Sequence, residues 1–87
     1  MTRLPAPGLC LLVRAYCSLC EAMHAHAAAL ALATGRPLQV LDVDADPALE
    51  AAWGDAVPVL FLGPPDERNE LCRYHWDAQR VATAVPP

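Results

Sequence analysis

Cys17 and Cys20, separated by Ser18 and Leu19, are the residues of this chain whose type and spacing best suit chemistry. Two thiols at this spacing can close a disulfide or bind a soft metal, and in either role the thiolate is the reactive form. An apolar run, Leu9-Cys10-Leu11-Leu12-Val13, precedes them, and an alanine-rich run from Glu21 to Thr34 follows, stopped by Gly35. That order predicts a strand, a sharp turn, then a helix with the pair at its N-terminus. Unpaired backbone N–H groups and the positive end of the helix dipole stabilise an anion there, so a thiol pKa falls. Cys17, at the helix start, is the candidate nucleophile. Cys20, one turn on and on nearly the same face, is the candidate resolving thiol.

The neighbours of the pair sort by charge and position. Arg14, three residues before Cys17, is placed to lower the thiol pKa or hold a substrate carboxylate, or else to be a solvated charge at a strand end. Tyr16 either lines a substrate groove or covers the helix end. Glu21 opposes thiolate formation unless solvent screens it. His24 shares a helical face with Cys17 and Cys20, and thiolate plus imidazole suits zinc. Ligands along a single helix rarely converge on one ion, however, so His24 is expected beneath the helix, partly buried and hydrogen-bonded, with His26 at the surface. Cys10 and Cys72 fall inside predicted strands and read as small buried hydrophobes. Trp53, Trp76 and Phe61 read as packing residues.

The elements that must position the pair follow in order. Met1 to Gly8 is a proline-bearing lead-in, and Leu9 to Val13 has the continuous apolar character of a strand buried on both faces. In the helix from Ser18, Cys20, Met23, Ala27, Leu30 or Ala31, and Thr34 recur at helical spacing; Gly35 and Pro37 end it. Leu38 to Val43 is a second strand. Asp46 as cap and Pro47 at the first helical position start a short helix to Trp53, closed by Gly54. Val57 to Leu62 is a third strand with proline at its start, Gly63 to Asn69 a polar turn, and Glu70 to Tyr74 a hairpin partner. Asp77 caps a last helix to about Val85, stopped by Pro86-Pro87. The sum is β-α-β-α-β-β-α, opening with a right-handed parallel crossover.

Composition bounds the function. Eighty-seven residues, 55% hydrophobic and 18% charged, make one globular domain spanning 1–87 with a core from about 9 to 85. The net charge of −4 argues against a nucleic-acid partner. No apolar run approaches the ~20 residues that span a bilayer. Pro5, Pro7 and Gly8 interrupt the N-terminal apolar stretch, and Arg14 closes it without a small-residue cleavage site, so a secretory signal is not expected. The expected location is cytoplasmic, where thiols stay reduced.

Three stretches, Cys17-Ser18-Leu19-Cys20-Glu21, Asp42-Val43-Asp44-Ala45-Asp46-Pro47 and Trp53-Gly54-Asp55-Ala56-Val57-Pro58-Val59-Leu60, resemble the small bacterial glutaredoxin-like proteins of the thioredoxin-fold superfamily. The resemblance implies an α/β thioredoxin-like, glutaredoxin-type fold: a central four-stranded mixed sheet flanked by helices. It implies that Pro58 is cis and packs against the cysteine pair, leaving the N–H and C=O of Val57 free to pair with an extended substrate. It also implies a basic substrate contact at Arg14. Glutathione-using members commonly carry a glycine pair and an acidic residue before the last helix. Here that segment is Arg73-Tyr74-His75-Trp76-Asp77, with Asp77 as the acidic candidate and no glycine pair. The implied activity is thiol-disulfide exchange without metal or organic cofactor, with either glutathione as co-substrate or a reductase supplying the electrons. The implied partners are a disulfide-bearing protein or a glutathione mixed disulfide, and a reductase. Binding of an iron–sulfur cluster or zinc, or partner docking without turnover, is the alternative.

Overall fold

Leu9 to Leu12 are buried to 3% exposure or less, and this strand, β1 (Leu9–Val13), lies inside the sheet. The computed structural model describes residues 7–86; the first six residues of the lead-in and Pro87 lie outside them. β1 runs parallel to β2 (Leu38–Asp42) and antiparallel to β3 (Val59–Leu62), which pairs antiparallel with β4 (Glu70–Arg73). The sheet order is therefore β2-β1-β3-β4. Three helices, α1 (Ser18–Thr34), α2 (Pro47–Trp53) and α3 (Ala78–Ala84), complete the expected β-α-β-α-β-β-α order, with short 3-10 turns at Val43–Ala45 and Glu67–Asn69.

Each helix starts and stops for local reasons. α1 buries Cys20, Met23, Ala27 and Ala31, one face at helical spacing, and ends where Gly35 adopts the left-handed region at φ 66°. In α2 the Asp46 carboxylate accepts the N–H groups of Ala48 (2.9 Å) and Leu49 (3.3 Å), and Pro47 occupies the first turn, where its missing N–H costs nothing. Asp77 likewise caps α3, accepting the Arg80 N–H at 3.0 Å.

The alternation of β1 divides the interior into two cores. Leu9 and Leu11 pack with Met23, Ala27 and Ala31 of α1 and Val81 of α3 on one face. Cys10 and Leu12 pack with Val43, Phe61 and the α2 residues Leu49 and Trp53 on the other, Trp53 meeting Phe61 edge-on at 4.9 Å. β4 departs from simple alternation: Leu60 faces Cys72 and Phe61 faces Glu70, so Leu71 is an extra residue, and Leu71 and Cys72 both join the α1–α3 core. Cys10 and Cys72 are both free and buried, on opposite faces with β3 between their strands.

Three strand ends differ from the expectation. β2 stops at Asp42 because the next residue, Val43, is fully buried in a 3-10 turn and the Asp42 carboxylate accepts the Asp44 N–H at 2.8 Å. β3 starts at Val59, not Val57, since Pro58 has no N–H for the ladder; the Val57–Pro58 bond is cis, as the resemblance implied. β4 stops at Arg73 because Tyr74 turns to φ 66°, its N–H donating to the Pro58 carbonyl and its hydroxyl to the Asp55 carbonyl, both at 2.8 Å.

Two outcomes follow for stability. Leu11 is fully buried, so Leu11→Ala should cost about 2–5 kcal/mol in denaturant unfolding through lost burial and a residual cavity. Arg73 hydrogen-bonds both oxygens of Glu70 at 2.7 Å and holds that carboxyl below its ordinary pKa. A depressed carboxylate contributes stability that is present above its unfolded pKa of about 4.3 and lost as pH falls through the folded value. Glu70→Gln should accordingly lose less stability than the parent between pH 6 and pH 3, read from thermal midpoints at each pH.

Candidate active site

The end of β1 delivers the turn Arg14-Ala15-Tyr16, and the turn delivers Cys17 to the N-terminus of α1. Tyr16 sits at φ 56°, a conformation non-glycine residues rarely take, with its side chain wholly in solvent. Cys17 is the helix N-cap: its Sγ accepts the backbone N–H of Cys20 at 3.1 Å, and its carbonyl accepts that of Glu21 at 3.1 Å. The sulfurs of Cys17 and Cys20 are joined in a disulfide across a Cα–Cα span of 5.1 Å, within the ordinary range. Cys17 is half-buried, whereas Cys20 is 3% exposed.

This geometry favours Cys17 as the thiolate. A hydrogen bond to a charged acceptor contributes about 1.5–3 kcal/mol, and a helix N-terminus about 0.3–1 kcal/mol more. Glu21 is exposed and four residues on from Cys17; at the ~6 Å typical of that spacing, its charge in water would oppose the thiolate by only ~0.7 kcal/mol before salt screening. The N-terminal donors therefore outweigh Glu21. Burial pushes the thiols of Cys10 and Cys72 up, which keeps both protonated at neutral pH.

A cavity of about 190 Å³ opens beside the pair, bordered by Arg14, Tyr16, Cys17, Cys20, His24 and Val40. His24 is exposed, not beneath the helix, because Cys20, Met23, Ala27 and Ala31 already form the buried face of α1. His26 is exposed too, and stacks on Trp76 at 5.0 Å. Arg14 is not left to solvent: its Nη1 pairs with Asp44 Oδ1 at 3.0 Å, and its Nη2 meets Glu50 and the Gly54 carbonyl (3.1 Å). Asp44 and Glu50 thus belong to the surroundings of the site. Nothing in their local sequence shows it, since they lie 30 and 36 residues beyond Arg14.

Val57, Pro58 and Asp77 do not border this cavity. Pro58 is fully buried. Among the described residues the N–H and C=O of Val57 have no hydrogen-bond partner. Asp77 faces a separate depression of about 600 Å³ with Arg73, His75 and Arg80, and its carboxylate is engaged in the α3 cap. Among the described residues no three of His, Cys, Asp and Glu gather as a metal-ligand set, and no helix is long and apolar enough to cross a membrane.

A family model for a glutaredoxin-like domain (DUF836) matches residues 8–85. Among solved structures, the chain is similar to protein Ne2328 from Nitrosomonas europaea, with 31% identity over 99% of this chain and 100% of that one and a TM-score of 0.76. It is similar to target protein XcR50 from X. campestris, with 34% identity over 91% of this chain and 100% of that one and a TM-score of 0.62. Thioredoxin 1 from Thermosipho africanus TCF52B shares 22% identity over 86% of this chain and 85% of that one, TM-score 0.61, a likeness of fold alone. No curated protein matches the chain.

The contrast among the four cysteines is measurable. In the reduced protein, iodoacetamide near neutral pH should alkylate Cys17 first, and the buried Cys20, Cys10 and Cys72 far more slowly. Peptide mass spectrometry over a time course reads each rate; alkylation of Cys10 or Cys72 in the folded protein at the rate of Cys17 would contradict the burial argument.

Proposed function

The chain belongs to the glutaredoxin-like domain family, and on that premise we propose that it is a thiol-disulfide oxidoreductase with Cys17 as nucleophile and Cys20 as resolving thiol. The observation that carries this reading is the Cys17–Cys20 disulfide at the start of α1, with a backbone N–H directed at Cys17 Sγ. The Cys17 thiolate attacks one sulfur of a substrate disulfide, forming a mixed disulfide and releasing the other substrate sulfur as a thiolate that takes up a proton. The Cys20 thiolate then attacks Cys17 Sγ, closing the Cys17–Cys20 bond and releasing the second substrate thiol. Two electrons pass to the substrate. They return from a thiol donor, glutathione or a reductase, which reopens the bridge by the same exchange run in reverse. The protein works as a cytoplasmic reductant with neither metal nor organic cofactor.

The substrate is an extended segment carrying a disulfide, since the cavity of about 190 Å³ is smaller than the ~300–1,000 Å³ that encloses a drug-sized ligand. The unpaired main-chain groups of Val57 are offered to such a segment, and Tyr16, wholly exposed beside Cys17, supplies an apolar contact. The two thiols separate by mutation. Cys17→Ser should abolish disulfide reduction outright. Cys20→Ser should keep the nucleophile and accumulate mixed disulfides, visible by mass as adducts that dithiothreitol removes. An active Cys17→Ser variant would end this assignment.

A further inference from the structure

Arg14 is the single permanent cation bordering the cavity beside Cys17–Cys20 among the described residues, and it is already occupied. Asp44 and Glu50 hold its guanidinium, and the Gly54 carbonyl takes a further N–H. A substrate carboxylate reaching Arg14 would have to displace one of these partners. The balance of charge points the same way. Arg14 contributes one positive charge, while Asp44, Glu50 and the cavity-lining Glu21 contribute three negative ones, so the mouth of the site carries a net charge of two negative. These groups are half-exposed, with side-chain exposures of 37% for Arg14, 46% for Asp44 and 45% for Glu50. Their field therefore reaches the solvent from which a substrate approaches.

We infer that Asp44 and Glu50, by saturating Arg14 at the rim of the dithiol site, make it selective for neutral and cationic disulfides and against anionic ones such as oxidised glutathione. This rests on the oxidoreductase reading and names its substrate class: a disulfide flanked by lysine or arginine side chains. Asp44 and Glu50 touch no reacting atom; they are positioning residues acting through Arg14. The reaction itself is unchanged. Cys17 takes one sulfur of the substrate, Cys20 releases it, two electrons pass to the substrate, and a dithiol reductant restores the pair. The same field slows glutathione as electron donor and favours a reductase or an uncharged dithiol.

The test uses the whole protein, pre-reduced with dithiothreitol and desalted, against dicationic cystamine, neutral hydroxyethyl disulfide and dianionic oxidised glutathione. Each rate is divided by the rate of free dithiothreitol with the same disulfide, which removes differences in leaving group. For charges about 10 Å apart, the normalised cystamine-to-glutathione ratio should be about tenfold at 0.1 M salt and several-fold larger at 0.01 M. The double variant D44N/E50Q should bring the ratio towards one, whereas R14Q should raise it. Should the double variant fail to fold, the salt dependence and R14Q still decide. A ratio near one at both salt concentrations, with all three disulfides reduced, would overturn the inference and leave the oxidoreductase reading standing. Reduction of none of the three would overturn both.

Discussion

β1 supplies Leu9 and Leu11 to one core and Cys10 and Leu12 to the other, while β2 and β3 flank it on either edge. A strand held on all four sides has no freedom to slide, because a one-residue slip would exchange its two faces between cores. Its C-terminal end is therefore a fixed point. The turn Arg14-Ala15-Tyr16 leaves from that point, and α1 is pressed back onto the sheet by Met23, Ala27 and Ala31. The position of Cys17 is the intersection of these two restraints. The backbone N–H of Cys20 meets Cys17 Sγ there at 3.1 Å, and the buried strand holds that donor and acceptor in place.

The same end of β1 also carries the electrostatics. Arg14 spans from the strand to the 3-10 turn at Asp44 and to Glu50 and Gly54 around α2. Each ion pair is half-exposed and contributes little to stability alone, ~0–1 kcal/mol. Their larger consequence is at the site, where a cation adjacent to a reactive thiol becomes part of an acidic rim. Residues that contribute little to stability thus set the charge beside Cys17.

Position divides the four cysteines cleanly. Cys10 and Cys72 are interior hydrophobes whose burial suppresses ionisation, and the sheet keeps them apart. Cys17 and Cys20 sit at the start of α1, where the Cys20 N–H donates to Cys17 Sγ and Cys17 is the more exposed of the two residues. The chemistry of each thiol follows from where its backbone lies, not from the residue type.

Much of this was legible in the sequence because the signals are local. Apolar spacing placed the buried face of α1 at Cys20, Met23, Ala27, Leu30 or Ala31, and Thr34, of which the structure buries Cys20, Met23, Ala27 and Ala31; Asp46-Pro47 and Asp77 announced helix starts through capping chemistry; Gly35 marked an end that only a left-handed residue makes comfortably. With the Cys17-to-Cys20 motif at a predicted helix start, the element order and the placing of the Cys17–Cys20 pair at the start of α1 followed from residues within a few turns of one another. Tertiary structure alone decided what depends on distant partners. Arg14 meets Glu50 and Gly54 across 36 and 40 residues of chain; the bulge at Leu71 reflects pairing with β3; and His24 faces solvent because the sheet claims the other side of α1. Asp77 is drawn to its own helix cap, outside the cavity beside Cys17. Periodicity and capping report the conformational preferences of neighbours in the chain. Which charge meets which, and which face is left to water, is set only when the packed sheet brings remote segments together.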